Sequence, residues 1–343
     1  MRLIILSGAG LSVGSGLPTY AQLLADPDFV GFYSSSKAET LERINIFADK
    51  YKSVKPSNVH YELVLLERYC EAVDIDFLHY TLNVDNLIEQ KGGSVHHLHG
   101  CITQPESIIE NREVSSFDLM SIDWQPGDCL LVLGVSNTGY PLAALEAHVT
   151  GCGATFVNYN LEYNDDLVSK TIVGELSQTF SIFNINVLKR VEFISFSVGD
   201  YDVDIRTFSI NGTIYEIFFS PSKEISVSDE ELECITSVIG CDISEKNSFE
   251  VKFDLQSNRE TGSTYEKPQE NFSRRDLNLL GAVVALSMAA YANLREVDVY
   301  TASAVRKPLV CFYNHLGRKY AQLLNFEAHC GIGPEGVNYV FTK

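Results

Sequence analysis

The chain opens on an apolar run, Arg2-Leu3-Ile4-Ile5-Leu6-Ser7, that passes directly into Gly8-Ala9-Gly10-Leu11-Ser12-Val13-Gly14-Ser15-Gly16-Leu17-Pro18-Thr19-Tyr20. A short apolar run bounded by glycine reads as a buried strand. Glycines placed straight after it let the backbone approach a neighbour or a bound group that a side chain would hold off. A helix starting there would add unpaired N–H groups and a positive dipole end, which favour an anion such as a phosphate. Taken alone, a strand followed by Gly-Ala-Gly is a weak dinucleotide signal, and a plain glycine-rich turn explains it too. What the opening constrains is class, because strand, glycine turn and helix begin an α/β unit with a parallel sheet.

The first half keeps that alternation. Leu63, Leu66 and Tyr69 share one helical face, which predicts a helix over residues 63–70. Strands are predicted at 2–7, 77–81, 129–134 and 154–157, and a closing helix at 165–183 with Leu167, Ile172 and Leu176 in the core. From residue 191 the texture changes, with strands at 191–197, 213–219 and 248–255, a polar loop at 257–275, a helix at 277–293, a strand at 297–301 and a helix at 308–324. The expected fold is α/β, a Rossmann-like parallel sheet over residues 1–187 followed by a smaller α+β domain over 188–343.

With 26 basic and 45 acidic residues the chain carries a formal charge of −19, which disfavours nucleic acid and anionic membranes as partners. A single anionic ligand is not excluded, since local donors outweigh a distant field. The first apolar run is too short for a signal peptide, no run reaches the roughly 18 apolar residues of a membrane span, and 279–290 reads as a buried helix. The eight cysteines show no C-x-x-C pair, so reduced thiols, a cytoplasmic location and no paired-cysteine zinc site are expected.

The stretch from Gly8 to Pro18 resembles the opening motif of the sirtuins, G-A-G-x-S-x-x-S-G-I-P, with Leu17 in place of the isoleucine. Further blocks follow in sirtuin order: Lys55-Pro56-Ser57-Asn58-Val59-His60, Thr81-Leu82-Asn83-Val84-Asp85-Asn86-Leu87, Leu98-His99-Gly100, Gly134-Val135-Ser136 and Val157-Asn158. The resemblance implies NAD as the bound substrate and cleavage of its nicotinamide–ribose bond. It further implies that Asp85 binds the nicotinamide amide, Asn83 orders the ribose and a water, and His99 is the general base. Gly8, Ala9, Gly10 and Ser12 would cradle the phosphates, with Pro18, Tyr20 and Gly134 alongside, and Ser136 and Asn158 would hold the adenosine half.

Each residue also has a plainer reading. Asn83 and Asp85 could cap a helix from Asn86. The run His96-His97-Leu98-His99 invites a metal, yet no carboxylate or cysteine pair accompanies it at ligand spacing, so no metal is expected. His96 and His97 read as polar loop residues, His60 as a satisfied helix-start histidine, and Cys101 as a packed thiol with no base partner identifiable in the sequence.

The departures bear on the acceptor. Deacylating sirtuins carry a four-cysteine zinc module between L-H-G and G-T-S, whereas only 33 residues separate Gly100 from Gly134 here. The F-G-E-like segment that closes the acyl-lysine channel is missing, Ala21 replaces the usual arginine, Leu82 replaces the glutamine of T-Q-N, and Asn137-Thr138-Gly139 replaces apolar residues. The chain resembles the zinc-lacking NAD hydrolases of bacterial and phage conflict systems, which implies hydrolysis of NAD to nicotinamide and ADP-ribose. Protein deacylation, ADP-ribosyl transfer, and a non-catalytic role in binding NAD or ADP-ribose stay open.

The end of the chain weakly resembles a GNAT-type acetyltransferase, with a strand at 297–301 leading to a helix carrying Phe312-Tyr313-Asn314-His315-Leu316. Its pyrophosphate loop has no clean match, since Arg275, Gly281 and Ala282 stand at the wrong spacing. A fold relative without acyl-CoA activity and an unrelated α+β domain are both left standing, as are a second copy or a protein partner docking there.

Overall fold

The buried run at the amino terminus is β1, Arg2–Ser7, and Leu3, Ile4, Ile5 and Leu6 have no solvent exposure. In a computed structural model describing residues 1–26, 36–110, 119–137, 140–224, 229–240, 242–262, 272–333 and 335–343, the chain divides into two units. One comprises Met1–Glu71 and Ile75–Asn184, the other Ala72–Asp74 and Ile185–Lys343.

In the first unit β1 is joined by β2 (Asp76–Thr81), β3 (His96–His97), β4 (Cys129–Leu133), β5 (Thr155–Asn160) and β6 (Thr171–Val173). The order is β3-β2-β1-β4-β5-β6 and every pairing is parallel. This is the doubly wound order of dinucleotide-binding sheets, so the class is α/β with a Rossmann-like core. Helices α1 (Tyr20–Ala25), α2 (Lys37–Tyr51), α3 (Asn58–Ala72), α4 (Pro105–Glu110), α5 (Leu142–Gly151) and α6 (Leu176–Thr179) connect or flank the strands. Leu63, Leu66 and Tyr69 form the buried face of α3, as their spacing predicts. In α5, Leu142, Leu145 and Val149 recur at helical spacing and pack with Ile4, Leu6, Leu130 and Val132 of the sheet.

Two expectations need correction. The segment 165–183 is not one helix: Thr171, Ile172 and Val173 are β-branched and pair with β5, and Gly174 at φ 143° ends any helical path. Leu167 and Leu176 are buried there, but Ile172 is 37% exposed on its edge strand. The glycine loop continues as a seven-residue 3-10 turn, Ala9–Ser15, closed by Gly16 at φ 84°. Its glycines are poor helix formers, so no α-helix begins at Gly8.

The second unit is a seven-stranded sheet in the order β12-β13-β11-β10-β9-β8-β7. Its strands are β7 (Ile194–Val198), β8 (Tyr201–Ile210), β9 (Thr213–Pro221), β10 (Ser248–Leu255), β11 (Val299–Ser303), β12 (Glu327–Ile332) and β13 (Asn338–Thr342). Neighbours are antiparallel except β10 and β11, which run parallel over Ser248–Glu250. Helices α7 (Asp229–Ile239), α8 (Gln256–Thr261), α9 (Arg274–Arg295) and α10 (Lys307–Tyr320) complete it. The polar segment 257–275 is therefore helical at its start, and 263–271 lies outside the described residues. By length and hydropathy α9 could cross a membrane, yet 78% of that window is buried inside the protein. Tyr291 on α9 stacks on Phe219 of β9 with ring centres 4.1 Å apart. No disulfide occurs among the described residues, and Cys241 lies outside them.

Candidate active site at the carboxyl edge of the parallel sheet

Strand order reverses between β1 and β4, and the chain leaving each strand meets the other there. The Gly8 N–H donates to the Leu133 carbonyl and the Gly10 N–H to the Gly134 carbonyl, both at 3.0 Å. A Cβ on Gly10 would lie 2.7 Å from the Gly134 Cα, and one on Gly134 would lie 2.6 Å from the Gly10 Cα. Gly134 also sits at φ 64°, in the left-handed region. These glycines are thus required by the close crossing of two backbones, whatever ligand they face. Such a crossing, at a topological switch point, is where open α/β sheets form their ligand crevice.

A polar cluster lies beside the crossing. Ser12 Oγ donates to Asp85 Oδ2 at 2.8 Å, and Asn83 Nδ2 donates to the Gly8 carbonyl at 3.1 Å and to Ser12 Oγ at 3.2 Å. Asp85 Oδ1 accepts from the Leu87 N–H at 3.2 Å, but no helix starts at Asn86, so this bond closes a local turn and is not the helix cap expected there. Burial raises the Asp85 pKa, opposed by the Ser12 hydroxyl and the Leu87 N–H. Asn83 Oδ1 has no hydrogen-bond partner among the described residues, which leaves it available as an acceptor. Beneath the cluster Ser7 Oγ donates to Thr81 Oγ1 and lies within bonding distance of His79 Nε2, both at 2.9 Å.

The histidine run resolves into three environments. His96 stacks on Tyr80 with ring centres 5.3 Å apart. His97 is not a loop residue: it ends β3, with Nδ1 2.8 Å from the Asn83 carbonyl and Nε2 2.6 Å from Glu89 Oε1. Burial would lower its pKa, but Cys101, Glu89 and the Asn83 carbonyl outweigh that and hold it up at about 10. The Cys101 pKa is correspondingly lowered: burial opposes this, and His97 and Thr103 prevail. The partner that the sequence does not reveal for Cys101 is His97, with a ring nitrogen within 4.8 Å of the sulfur. His99 is exposed on the turn after β3, with its pKa lowered by partial burial of the ring. That turn depends on Gly100 at φ 76°, where a Cβ would lie 2.5 Å from the Ile108 nitrogen.

The residues assigned to the adenosine half separate. Ser136 is exposed just beyond β4. Asn158 is wholly buried inside β5, with Nδ2 donating to Thr171 Oγ1 at 3.1 Å, and so does not reach the edge. Two residues on, Asn160 ends β5 and its Nδ2 donates to the Val135 carbonyl at 3.0 Å. Its place at the strand's carboxyl end is the signal that points to Asn160 instead. Pro18 is half-buried, and Tyr20 opens α1 at 40% exposure. Thr138 and Gly139 lie outside the described residues.

Two further histidines affect stability. His60 Nδ1 accepts from the Ser57 N–H at 3.2 Å, but its Nε2 is buried with no partner among the described residues, so it is only half satisfied. Burial pushes the pKa of His60 down to about 4 and that of His79 down to about 3. Below the unfolded value of about 6.5 the unfolded chain takes up protons that these rings refuse. Their contribution is therefore complete above about pH 6.5 and declines as pH falls toward the folded values, by about 1.4 kcal/mol per pH unit for each ring. The urea midpoint is expected to drop between about pH 7 and about pH 5, and His79→Gln to shrink the drop. A midpoint that stays level over that range contradicts this.

Neither a protein-family model nor a curated protein matches the chain. Solved structures similar to it include a sirtuin from work on sirtuin substrate affinity, at 20% identity over 52% of this chain and 90% of that one, with a TM-score of 0.38. Sir2Tm bound to a propionylated peptide is 21% identical over 52% of this chain and 89% of that one, with a TM-score of 0.35. Sir2 with a p53 peptide and NAD+ is 20% identical over 52% and 89%, with a TM-score of 0.34. At these scores the likeness stands as a resemblance of fold.

Proposed function

We propose that the first unit binds NAD at the carboxyl edge of its parallel sheet and cleaves the nicotinamide–ribose bond, with water as acceptor. The observation that carries this is the hydrogen-bonded cluster of Gly8, Ser12, Asn83 and Asp85 at the β1–β4 crossing. Bond cleavage develops positive charge on C1′ of the ribose, so the site must hold the carboxamide, fix the ribose and present an acceptor. Asp85 takes the carboxamide, and Ser12 fixes the orientation of its carboxylate. Asn83 offers Oδ1 to the ribose or to the attacking water. His99, exposed after β3, is the general base on the ribose hydroxyls. The backbone at Gly8, Ala9 and Gly10 lies against the phosphates, and Ser136 with Asn160 holds the adenosine half.

Water is favoured because the segment between Gly100 and Gly134 is short and lacks paired cysteines. A second reading, NAD binding without turnover, is favoured by one observation: the position after Tyr20 is the exposed Ala21, which offers no cation. The second unit is read as an acetyltransferase-like fold without acyl-CoA activity. Its α9 amino terminus is already occupied by the Asp276 carboxylate, which accepts from the Ser273 N–H at 2.9 Å and its hydroxyl at 2.6 Å. A phosphate there would meet that charge.

The test follows nicotinamide release from NAD with and without an acylated lysine peptide. Equal rates are expected. Release that depends on the peptide overturns water as acceptor, and NAD binding without release establishes the second reading.

A further inference from the structure

Glu89, His97 and Cys101 are separated by seven and three residues, a spacing that matches no paired-cysteine pattern. The two-residue β3 and the turn after it bring them together. One ligand atom from each, a carboxylate oxygen, an imidazole nitrogen and the thiol sulfur, lies within 4.8 Å of the others. We propose that these three side chains form a binding site for one divalent zinc ion, with a fourth coordination position left to water.

Donor chemistry selects the metal. Thiolate, imidazole and carboxylate together suit zinc better than calcium or magnesium, which take oxygen ligands. His97 is oriented as a ligand: the Asn83 carbonyl can only accept, so Nδ1 keeps its proton, and Nε2 becomes a ligand when the metal displaces the proton it shares with Glu89. A histidine ligand with its other N–H on a backbone carbonyl is the usual outer arrangement. Glu89 Oε2 is buried without a hydrogen-bond partner among the described residues, and a cation or its bound water would satisfy it. Charge closes as well, because thiolate and carboxylate contribute two negative charges and zinc neutralises both.

The frame is fixed before any metal arrives. The Cys101 N–H donates to Ser107 Oγ at 3.0 Å, Thr103 Oγ1 lies 3.2 Å from the sulfur, and the Ile102 N–H donates to the Val84 carbonyl at 2.7 Å. Val84 and the carbonyl of Asn83 belong to the loop that carries the polar cluster, so an ion here would brace that loop from behind. The proposal is independent of NAD turnover.

The test uses full-length protein treated with chelator, then titrated with Co2+ and afterwards with Zn2+. One equivalent of Co2+ should give a thiolate-to-cobalt charge-transfer band that Zn2+ abolishes. Cys101→Ser should remove the band. His97→Ala should weaken Zn2+ binding by more than the roughly 10–100-fold that loss of an outer partner costs. Wild-type protein with no charge-transfer band, or Cys101→Ser and His97→Ala variants that bind with wild-type affinity, overturns the site. The wild-type arm decides on its own if a variant fails to fold, which circular dichroism reports.

Discussion

Alanine at Gly134 is expected to lower stability by about 2–5 kcal/mol and to abolish NAD binding with it. Two terms add at this position. The residue sits at φ 64°, which costs a non-glycine residue about 1 kcal/mol or more. The new Cβ would also lie 2.6 Å from the Gly10 Cα and 2.7 Å from the Leu11 nitrogen, so β1's exit and β4's exit must separate. Because those atoms are backbone, no side-chain rotation relieves the contact. Gly16→Ala isolates the first term, since Gly16 has φ 84° and open space around its Cβ position. It should lose only about 1 kcal/mol. Urea midpoints at constant m-value, with NAD titrations of the same samples, measure both variants. Equal losses in the two would mean that the crossing is looser than the geometry here.

Asn83→Ala is expected to reduce nicotinamide release by about 10²–10⁴-fold while changing stability far less. The amide ties the Gly8 carbonyl to the Ser12 hydroxyl, and Ser12 in turn orients Asp85. Its removal therefore loses the positioned Oδ1 and loosens the carboxylate. Asp85→Asn preserves shape but replaces an acceptor by an amide, and should raise KM for NAD along with lowering kcat. The structural loss for Asn83→Ala is on the order of 1–2 kcal/mol, the value of two neutral hydrogen bonds at a half-buried site. A kcat that falls while the urea midpoint barely moves separates a chemical role from a structural one.

Legibility in the sequence differs from element to element. β1 is legible to the residue, and β10 likewise, because their apolar or alternating runs are bounded by turn-formers. Helix α3 is legible from one apolar face. β8 is not, since its apolar pattern is broken by the buried Asp204 and Arg206, which are satisfied by Tyr291 with Arg295 and by Ser287. The turn that joins β8 to β9 is Asn211 at φ 51° and Gly212 at φ 75°, the Asn-Gly pair that two-residue hairpins favour. In the site, Gly8, Ser12, Asn83 and Asp85 are joined by hydrogen bonds across more than 70 residues of chain, a grouping that only the sirtuin resemblance implies. Pairings across the fold are what sequence order cannot carry. His97 reads as one of three neighbouring histidines until β3 places it between Asn83, Glu89 and Cys101. Asn158 and Asn160 differ by one strand repeat, and only the end of β5 shows which one reaches the edge.

NAD cleavage with water as acceptor is tested most directly by nicotinamide release from NAD alone, measured side by side for the wild-type chain and Asn83→Ala. Equimolar nicotinamide and ADP-ribose are expected from the wild type, with release nearly abolished in the variant. Turnover that persists in a folded Asn83→Ala variant, or a wild-type protein that releases no nicotinamide, contradicts it.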